Sequence, residues 1–192
     1  MKLVVPATEH LSSYREALER GFSPNNVEQE RVRLEQLALL ESDPEALLAR
    51  MTDPEAKGPP IRMPDGSTSP RLPGVTRWMW DEDQFCGSIN LRWQEGTDAL
   101  PPHVPGHIGF VVPEWRRQRG YASAMLRSIL EEAWRRGLGS VLLTAEPGNA
   151  ASRGTIEKLG GEEIGRFDSG DAHHACHAAV LYRIALSERV SD

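Results

Sequence analysis

The chain of 192 residues is long enough for one domain with a sizeable core and short for two. Its composition, 39% hydrophobic and 26% charged residues, excludes a mainly disordered chain, a collagen-like repeat and a coiled coil. The net charge of −6 argues against a nucleic-acid-binding protein, which usually presents a broad basic face.

Membrane association and secretion are not expected. No apolar run approaches the roughly 20 residues of a membrane-spanning helix. The N-terminal segment has one lysine and a short apolar run before Pro6, which is not the pattern of a secretory signal. Cys86 and Cys176 are too few for a disulfide scaffold. The two could pair with each other, but we interpret them as reduced thiols of a cytoplasmic protein.

The first third of the chain is predicted to be helical. One helix is expected over about 8–20, with Thr8 as its cap, because apolar residues recur at helical spacing. A second helical stretch runs from about 26 to 51 and restarts at Asp43-Pro44, a capping residue followed by proline in the first turn. Residues 53–74 are rich in proline and glycine and are predicted to form a long irregular loop.

The remainder alternates between strand and helix patterns. Predicted elements are a hairpin of strands 75–80 and 85–93, a strand at 107–112, a helix at 121–136, a strand at 141–146, a helix at 150–159 and two last strands at 162–167 and 177–186. Strand, helix, strand after residue 107 implies a right-handed crossover with parallel pairing. The expected fold is α/β, with a mixed, mostly antiparallel sheet flanked by helices. We expect one domain over 1–192, with a helical N-terminal segment over 1–52, a loop over 53–74 and a core over 75–186.

The turn at residues 117–123, which we call the anion cradle, has the chemistry of a phosphate site. It leads from a predicted strand into a helix, whose free N–H groups and dipole favour anions. Gly120 lets a ligand approach the backbone, Ala122 and Ser123 leave the first helical turn uncrowded, and Arg117 and Arg119 supply charge. The surrounding segment 113–136 contains six arginines and three glutamates, which suits a small phosphorylated ligand.

The cradle and its context resemble the GNAT superfamily of N-acetyltransferases. The pattern of that family is Arg/Gln-x-x-Gly-x-Gly/Ala after a strand and at the start of a long helix, and Arg117, Gly120 and Ala122 match it in place. The segment VLLTAEPGN and the helix 150–161 match the elements that follow. The resemblance covers roughly residues 75–186 and is strongest with a bacterial branch often labelled only as predicted acetyltransferases.

The resemblance implies that acetyl-CoA binds between the strands at 107–112 and 141–146, which would start paired and splay apart. The pantetheine arm would bond to the strand edge at Val111 and Val112, and one of these amides would polarise the thioester carbonyl. Asn149 would face the arm, with Ser152 one helical turn on. The pyrophosphate would lie on the backbone amides of Gln118, Arg119, Gly120, Tyr121, Ala122 and Ser123.

Two departures from the family pattern concern the catalytic groups. Many members have a tyrosine that protonates the leaving thiolate where this chain has Ile156, so Ser152 is the expected remaining hydroxyl near the thiol. Many members have a glutamate base where this chain has His107, whose ordinary pKa of about 6.5 suits accepting a proton from an ammonium. The alternative for His107 is a histidine at a strand entrance that only hydrogen-bonds the loop.

A metal site is not expected. His173, His174, Cys176 and His177 lie close together in sequence, but four ligands would be needed and the further partners are not evident. These side chains fit better in an acceptor pocket or in solvent. The five tryptophans have core-like spacing, and Trp78 and Trp80 share one face of a strand.

The leading functional hypothesis is transfer of an acetyl group from acetyl-CoA to a primary amine by direct attack. The acceptor is a small-molecule amine or a protein amine, and a homodimer is compatible with either. A CoA-binding regulatory module of the same fold without turnover is the first alternative. A nucleotide-binding protein that uses the same cradle is the second, although the chain has no Walker or dinucleotide motif.

Overall fold

The computed structural model describes residues 1–26, 28–62, 66–167 and 178–187. Its N-terminal region consists of strand β1 (Lys2–Val4), a 3-10 turn (Thr8–His10) and helices α1 (Leu11–Glu19), α2 (Gln29–Ser42) and α3 (Pro44–Met51). The Asp43 carboxylate accepts the Ala46 N–H at 2.9 Å, which confirms the predicted restart. The expected cap at Thr8 is wrong, because Thr8 lies inside the 3-10 turn and its side chain caps nothing.

In the described part of the irregular segment, the strands before the main hairpin are short. These are β2 (Thr52–Asp53), β3 (Ile61–Arg62) and β4 (Thr68–Ser69), followed by the hairpin of β5 (Gly74–Asp81) and β6 (Gln84–Arg92). The second half continues with β7 (Ile108–Val111), α4 (Tyr121–Arg135), β8 (Ser140–Ala145), α5 (Ala150–Lys158), β9 (Glu162–Phe167) and β10 (Ala179–Ala185). The predicted order of strands and helices after residue 74 is confirmed.

The main strands form two sheets, and every ladder in them is antiparallel. The first has the order β1-β5-β6-β7 with β2 also on β5, and the second has the order β8-β10-β9. This is the expected α/β class. The expected parallel pairing between β7 and β8 does not extend into a ladder in the described residues.

Two hydrophobic clusters cover opposite faces of the β5–β6 hairpin. One contains the apolar side of α4, including Met125, Leu126 and Ile129, and continues into β8 and β10. The other lies under the N-terminal helices and contains Trp78 and Trp80, as their shared strand face predicted. Trp134 differs from the expected core role because 42% of it is exposed.

Within the residues described, no helix has the length and apolar character needed to cross a lipid bilayer.

Candidate functional site

Strands β7 and β8 are held together at their starts and separate beyond that point. The His107 N–H donates to the Leu142 carbonyl at 2.7 Å. In return, the Leu142 N–H donates to His107 Nδ1 at 2.9 Å. Since no ladder continues from this contact within the described residues, the strand edges beyond it are free to bind an extended ligand. We call this space the β7–β8 gap.

Gly106 makes the close approach of the two strands possible. A Cβ atom at this position would lie 2.9 Å from the Leu142 carbonyl oxygen and 3.3 Å from Leu143 Cα. Both neighbours are backbone atoms, so they cannot move aside without displacing β8. The apex of the gap therefore requires glycine for steric reasons rather than for its backbone freedom.

We expect Gly106→Ala to lower the free energy of unfolding by about 1–3 kcal/mol, the usual cost of forcing atoms into a packed site. Urea unfolding of the purified protein measures the change. Gly148→Ala is the matched control, because a Cβ at Gly148 would have no neighbour within 4 Å and its φ is not in the left-handed region. Equal stability of the two variants would show that the apex tolerates a methyl group.

The β6–β7 register decides which backbone amides face the gap. The Arg92 N–H donates to the His107 carbonyl at 2.9 Å, and hydrogen-bonded pairs recur at every second residue of an antiparallel ladder. The Val111 N–H is therefore turned towards its partner Ser88 on β6. Val112, one residue on, has its N–H on the β8 side by the same alternation. Of the two amides expected to polarise a thioester, the register favours Val112.

The anion cradle has the backbone geometry of an anion site. Gln118 and Gly120 have φ values of +62° and +80°, and Gly120 is the N-cap of α4. The first bond of the helix runs from the Ala124 N–H to the Gly120 carbonyl. Within the described residues the amides of 118–123 have no protein acceptor, and a Cβ at Gly120 would meet nothing within 4 Å. A diphosphate fits these free donors and this open space.

The side chains of the cradle differ in their roles. Arg117 and Arg119 are exposed, and Arg117 forms an ion pair with Glu114 at 3.5 Å, so both guanidiniums can be reached by an anion. Tyr121 is buried, and its hydroxyl donates to Asp81 at 2.8 Å. Burial, together with this bond, raises the pKa of Tyr121 to about 12. Its side chain thus points into the protein, and only its amide serves the cradle.

The start of α5 lies after the end of β8. Asn149 is the N-cap of α5, and its side-chain oxygen accepts the Ser152 N–H at 3.0 Å. Its oxygen is thereby engaged in capping, which leaves the amide nitrogen for the expected contact with a ligand arm. Ser152 is half-buried in the first helical turn, whereas Ile156 is 1% exposed and packs in the core. Of these two helix positions, only Ser152 offers a hydroxyl.

The environment of His107 argues against its expected role as a base. The residue is fully buried, and its Nδ1 lone pair already accepts the Leu142 N–H. The proton of the neutral ring is therefore on Nε2, which leaves no free lone pair for an ammonium. Burial lowers the pKa of His107 to about 4, with Arg92 adding to this effect and Asp98 opposing it. His107 joins β7 and β8 through these bonds, which agrees with the alternative of a structural histidine, and its role as a base stays a prediction.

A cleft of about 550 Å³ lies on the face of the β5–β6 hairpin that is opposite α4, between the N-terminal helices and the two strands. We call it the helix–sheet cleft. Its floor includes Ser88, Asn90 and Arg92, which alternate along β6, and Ser88 is the ladder partner of Val111. The cleft therefore reaches β6, the strand next to β7 at the gap. These three residues were not predicted from the sequence, although polar side chains at every second position of an otherwise apolar strand were a usable signal.

No cluster of three or more His, Cys, Asp or Glu side chains suitable for a metal is found among the described residues. His173, His174, Cys176 and His177 lie outside those residues, so the expectation about them stays a prediction. Cys86 is a buried free thiol.

Comparisons with known proteins give one family match and several similar folds. The acetyltransferase (GNAT) domain family matches residues 31–162. The fold is similar to that of RimL, a ribosomal L7/L12 alpha-N-protein acetyltransferase in complex with coenzyme A, with 13% identity, a TM-score of 0.62 and coverage of 96% of this chain and 93% of that one. RimJ of Mycobacterium smegmatis, in complex with CoA-disulfide, is also similar. Its identity is 16% and its TM-score 0.62, and the match covers 95% of this chain and 80% of that one.

A third similar structure is the spermidine N-acetyltransferase SpeG of Vibrio cholerae, with 11% identity, a TM-score of 0.57 and coverage of 96% and 95%. No curated protein sequence gives a significant match. At these identities the structural likeness establishes the fold alone. The relationship to a family rests on the match over residues 31–162.

Proposed function

The chain belongs to the acetyltransferase (GNAT) family, and from that premise we propose that it transfers the acetyl group of acetyl-CoA to a primary amine. The observation that carries the proposal is the continuity of the gap and the cradle. Strand β7, a short 3-10 turn (Glu114–Arg116), the cradle and helix α4 follow one another along the chain, so one segment supplies both a free strand edge and free amides. An extended ligand with a diphosphate at one end suits this arrangement.

The proposed binding mode assigns each portion of acetyl-CoA to backbone groups. The diphosphate lies on the amides of 118–123, with Arg117 and Arg119 adding charge. The pantetheine arm follows the free edge of β7 in the gap, near Asn149. The thioester carbonyl then lies beside the Val112 N–H, whose dipole stabilises negative charge on the oxygen.

The proposed reaction is a direct transfer without a covalent enzyme intermediate. The amine reaches the thioester from the helix–sheet cleft past Ser88, and its nitrogen attacks the carbonyl carbon. The resulting tetrahedral intermediate expels the thiolate as the C–S bond breaks. The Ser152 hydroxyl gives the thiolate a proton and regains one, through water, from the attacking nitrogen, which becomes the neutral amide. Since His107 has no free lone pair, we propose that the amine arrives neutral or loses its proton to water in the cleft.

A regulatory CoA-binding module without turnover is the second candidate. It is favoured by the buried His107 and by Ile156, which together remove the two familiar acid–base groups from the site. For either candidate we propose the cytoplasm as the compartment, because the free thiol of Cys86 suits a reducing environment.

We expect acetyl-CoA to stabilise the protein by about 2.7 kcal/mol at a hundredfold excess over Kd, well above ATP or NAD at matched concentrations. Thermal-shift measurements with the three ligands test this result. Equal shifts for all three would refute acetyl-CoA as the ligand and favour a general nucleotide site.

Thiol release from acetyl-CoA over a panel of amines then separates the two candidates. Release that depends on the amine, with the acetylated product seen by mass spectrometry, supports the transferase. Binding of acetyl-CoA without release for any amine supports the regulatory module.

A further inference from the structure

Arg92 is a cation without a carboxylate partner on the floor of the helix–sheet cleft. It is the last residue of β6 and is half-buried. Its guanidinium donates to Asn90 Oδ1 at 3.3 Å, and among the described residues no carboxylate oxygen lies within 4.0 Å of it. Burial lowers the pKa of Arg92, which means that the charged form is held in an unfavourable environment. An anion that binds to a guanidinium in this state stabilises its charge.

The other charged groups that line the cleft already have partners. Glu35 is bound by Arg31 at 3.1 Å and by Arg50 at 3.4 Å. Asp53 accepts two backbone N–H bonds at 2.8 Å, and these bonds lower its pKa. Arg71 donates to the Pro59 carbonyl at 3.2 Å, and its charge also acts on the Asp53 carboxylate. Arg92 is the exception among the carboxylates and guanidiniums of the described lining.

The position of Arg92 relates it to the proposed transfer. Residues two apart on one face of a strand are separated by about 7 Å, and the Arg92 side chain turns back to Asn90, one such step from Ser88. Ser88 is paired with Val111, the residue directly before Val112, beside which the thioester is proposed to lie. An anion on Arg92 and an amine at the thioester are therefore within the span of one small molecule.

Resting on the proposed function, we propose that the acceptor is a free amino acid or a close analogue, whose carboxylate binds to Arg92 while its amine faces the thioester. The planar guanidinium suits two parallel hydrogen bonds to a carboxylate. Its bond to Asn90 keeps it beside that residue, one step along the strand face from Ser88. The same cation opposes the binding of a polyamine. Arg92 is thus a residue that determines specificity.

The test compares matched acceptors that differ only in the carboxylate. Standard amino acids, β-alanine and γ-aminobutyrate are assayed beside their carboxamides by thiol release from acetyl-CoA. We expect kcat/KM to be at least about tenfold higher for the best acid than for its amide, the order of discrimination that one buried charge pair supplies. Equal values for acid and amide across the panel would overturn the proposal.

Two variants of Arg92 test whether this residue causes the preference for acids over amides. Arg92→Gln should remove the tenfold preference, mainly through KM for the acid, and leave the amide reaction and the Kd for acetyl-CoA unchanged. Arg92→Lys should restore some of it, because the charge returns without the planar pair of donors. Arg183→Gln, at an exposed position on β10, is the control and should behave as the parent. If Arg92→Gln lowered kcat/KM equally for the acid and the amide, the role of Arg92 would be merely structural.

A binding measurement keeps this proposal separate from the proposed function. The acetyl-CoA-saturated protein and its Arg92→Gln variant are titrated calorimetrically with the same acids and amides. If no amine releases thiol, the transferase proposal fails, yet binding of acids by the parent alone would still support the carboxylate site. Absence of any acid-selective binding by the parent would overturn it independently of turnover.

Discussion

Gly120→Val should raise the Kd for acetyl-CoA by about a hundredfold or more, the equivalent of losing two hydrogen bonds to a charged group. Gly120 has a φ of +80° and open space where a side chain would begin. A valine there would place two methyl groups over the free amides of the cradle and would resist the left-handed backbone. Calorimetric titration with acetyl-CoA measures the change.

The control for this prediction is Gly137→Val, at the other end of the same helix. Gly137 has a φ of +85° and also no atom within 4 Å of a Cβ, so the backbone strain is matched. Each variant should lose about 1–3 kcal/mol of stability, the range for a strained non-glycine residue. Only the change at Gly120 should affect binding. If both variants bind acetyl-CoA like the parent, the diphosphate does not lie on the cradle.

The stability that His107 contributes should be complete above pH 6.5 and lost as the pH falls through about 4. The pKa of His107 is lowered from 6.5 to about 4 in the folded protein, chiefly by burial. Between these values the unfolded chain binds a proton at this residue and the folded chain does not, so acid favours unfolding. Over the whole interval the loss amounts to about 3 kcal/mol.

Comparison with His107→Gln isolates this effect from the carboxylates that also titrate in acid. Glutamine has no titration in this range, and its side-chain oxygen can accept the Leu142 N–H in place of Nδ1. The difference in unfolding free energy between parent and variant, measured in urea from pH 7 to pH 4, should shift in favour of the variant as the pH falls. Parallel pH profiles would contradict a buried neutral imidazole.

Activity distinguishes the positioning role of His107 from the role of a base. If His107 only joins the strands, His107→Gln should keep kcat within a few-fold and leave the pH profile of kcat unchanged. Loss of a general base would instead lower kcat by about 10²-fold or more and remove the rise of the rate through the histidine pKa. That second result, at unchanged acetyl-CoA affinity, would restore the expectation drawn from the family resemblance.

The sequence by itself determined the features that depend on neighbours along the chain. Helix α4 follows from apolar residues at a spacing of three and four, and the restart at Pro44 follows from Asp43 directly before it. The cradle is likewise local, because a strand, a glycine turn and a helix N-terminus are consecutive. Backbone propensity and periodicity act over a few residues, which is why such elements are legible in one sequence.

Only the tertiary structure decided the features that join distant segments. Strand β1 has three residues and exists because it pairs with β5, more than 70 positions away. The Leu142 N–H on His107 Nδ1 argues against the expected base, and the register with β6 favours Val112 over Val111. The helix–sheet cleft, with Arg92 on its floor, combines segments from residue 14 to residue 104. Burial, register and the pairing of charges depend on which surfaces meet in space, and that information is not contained in any local pattern.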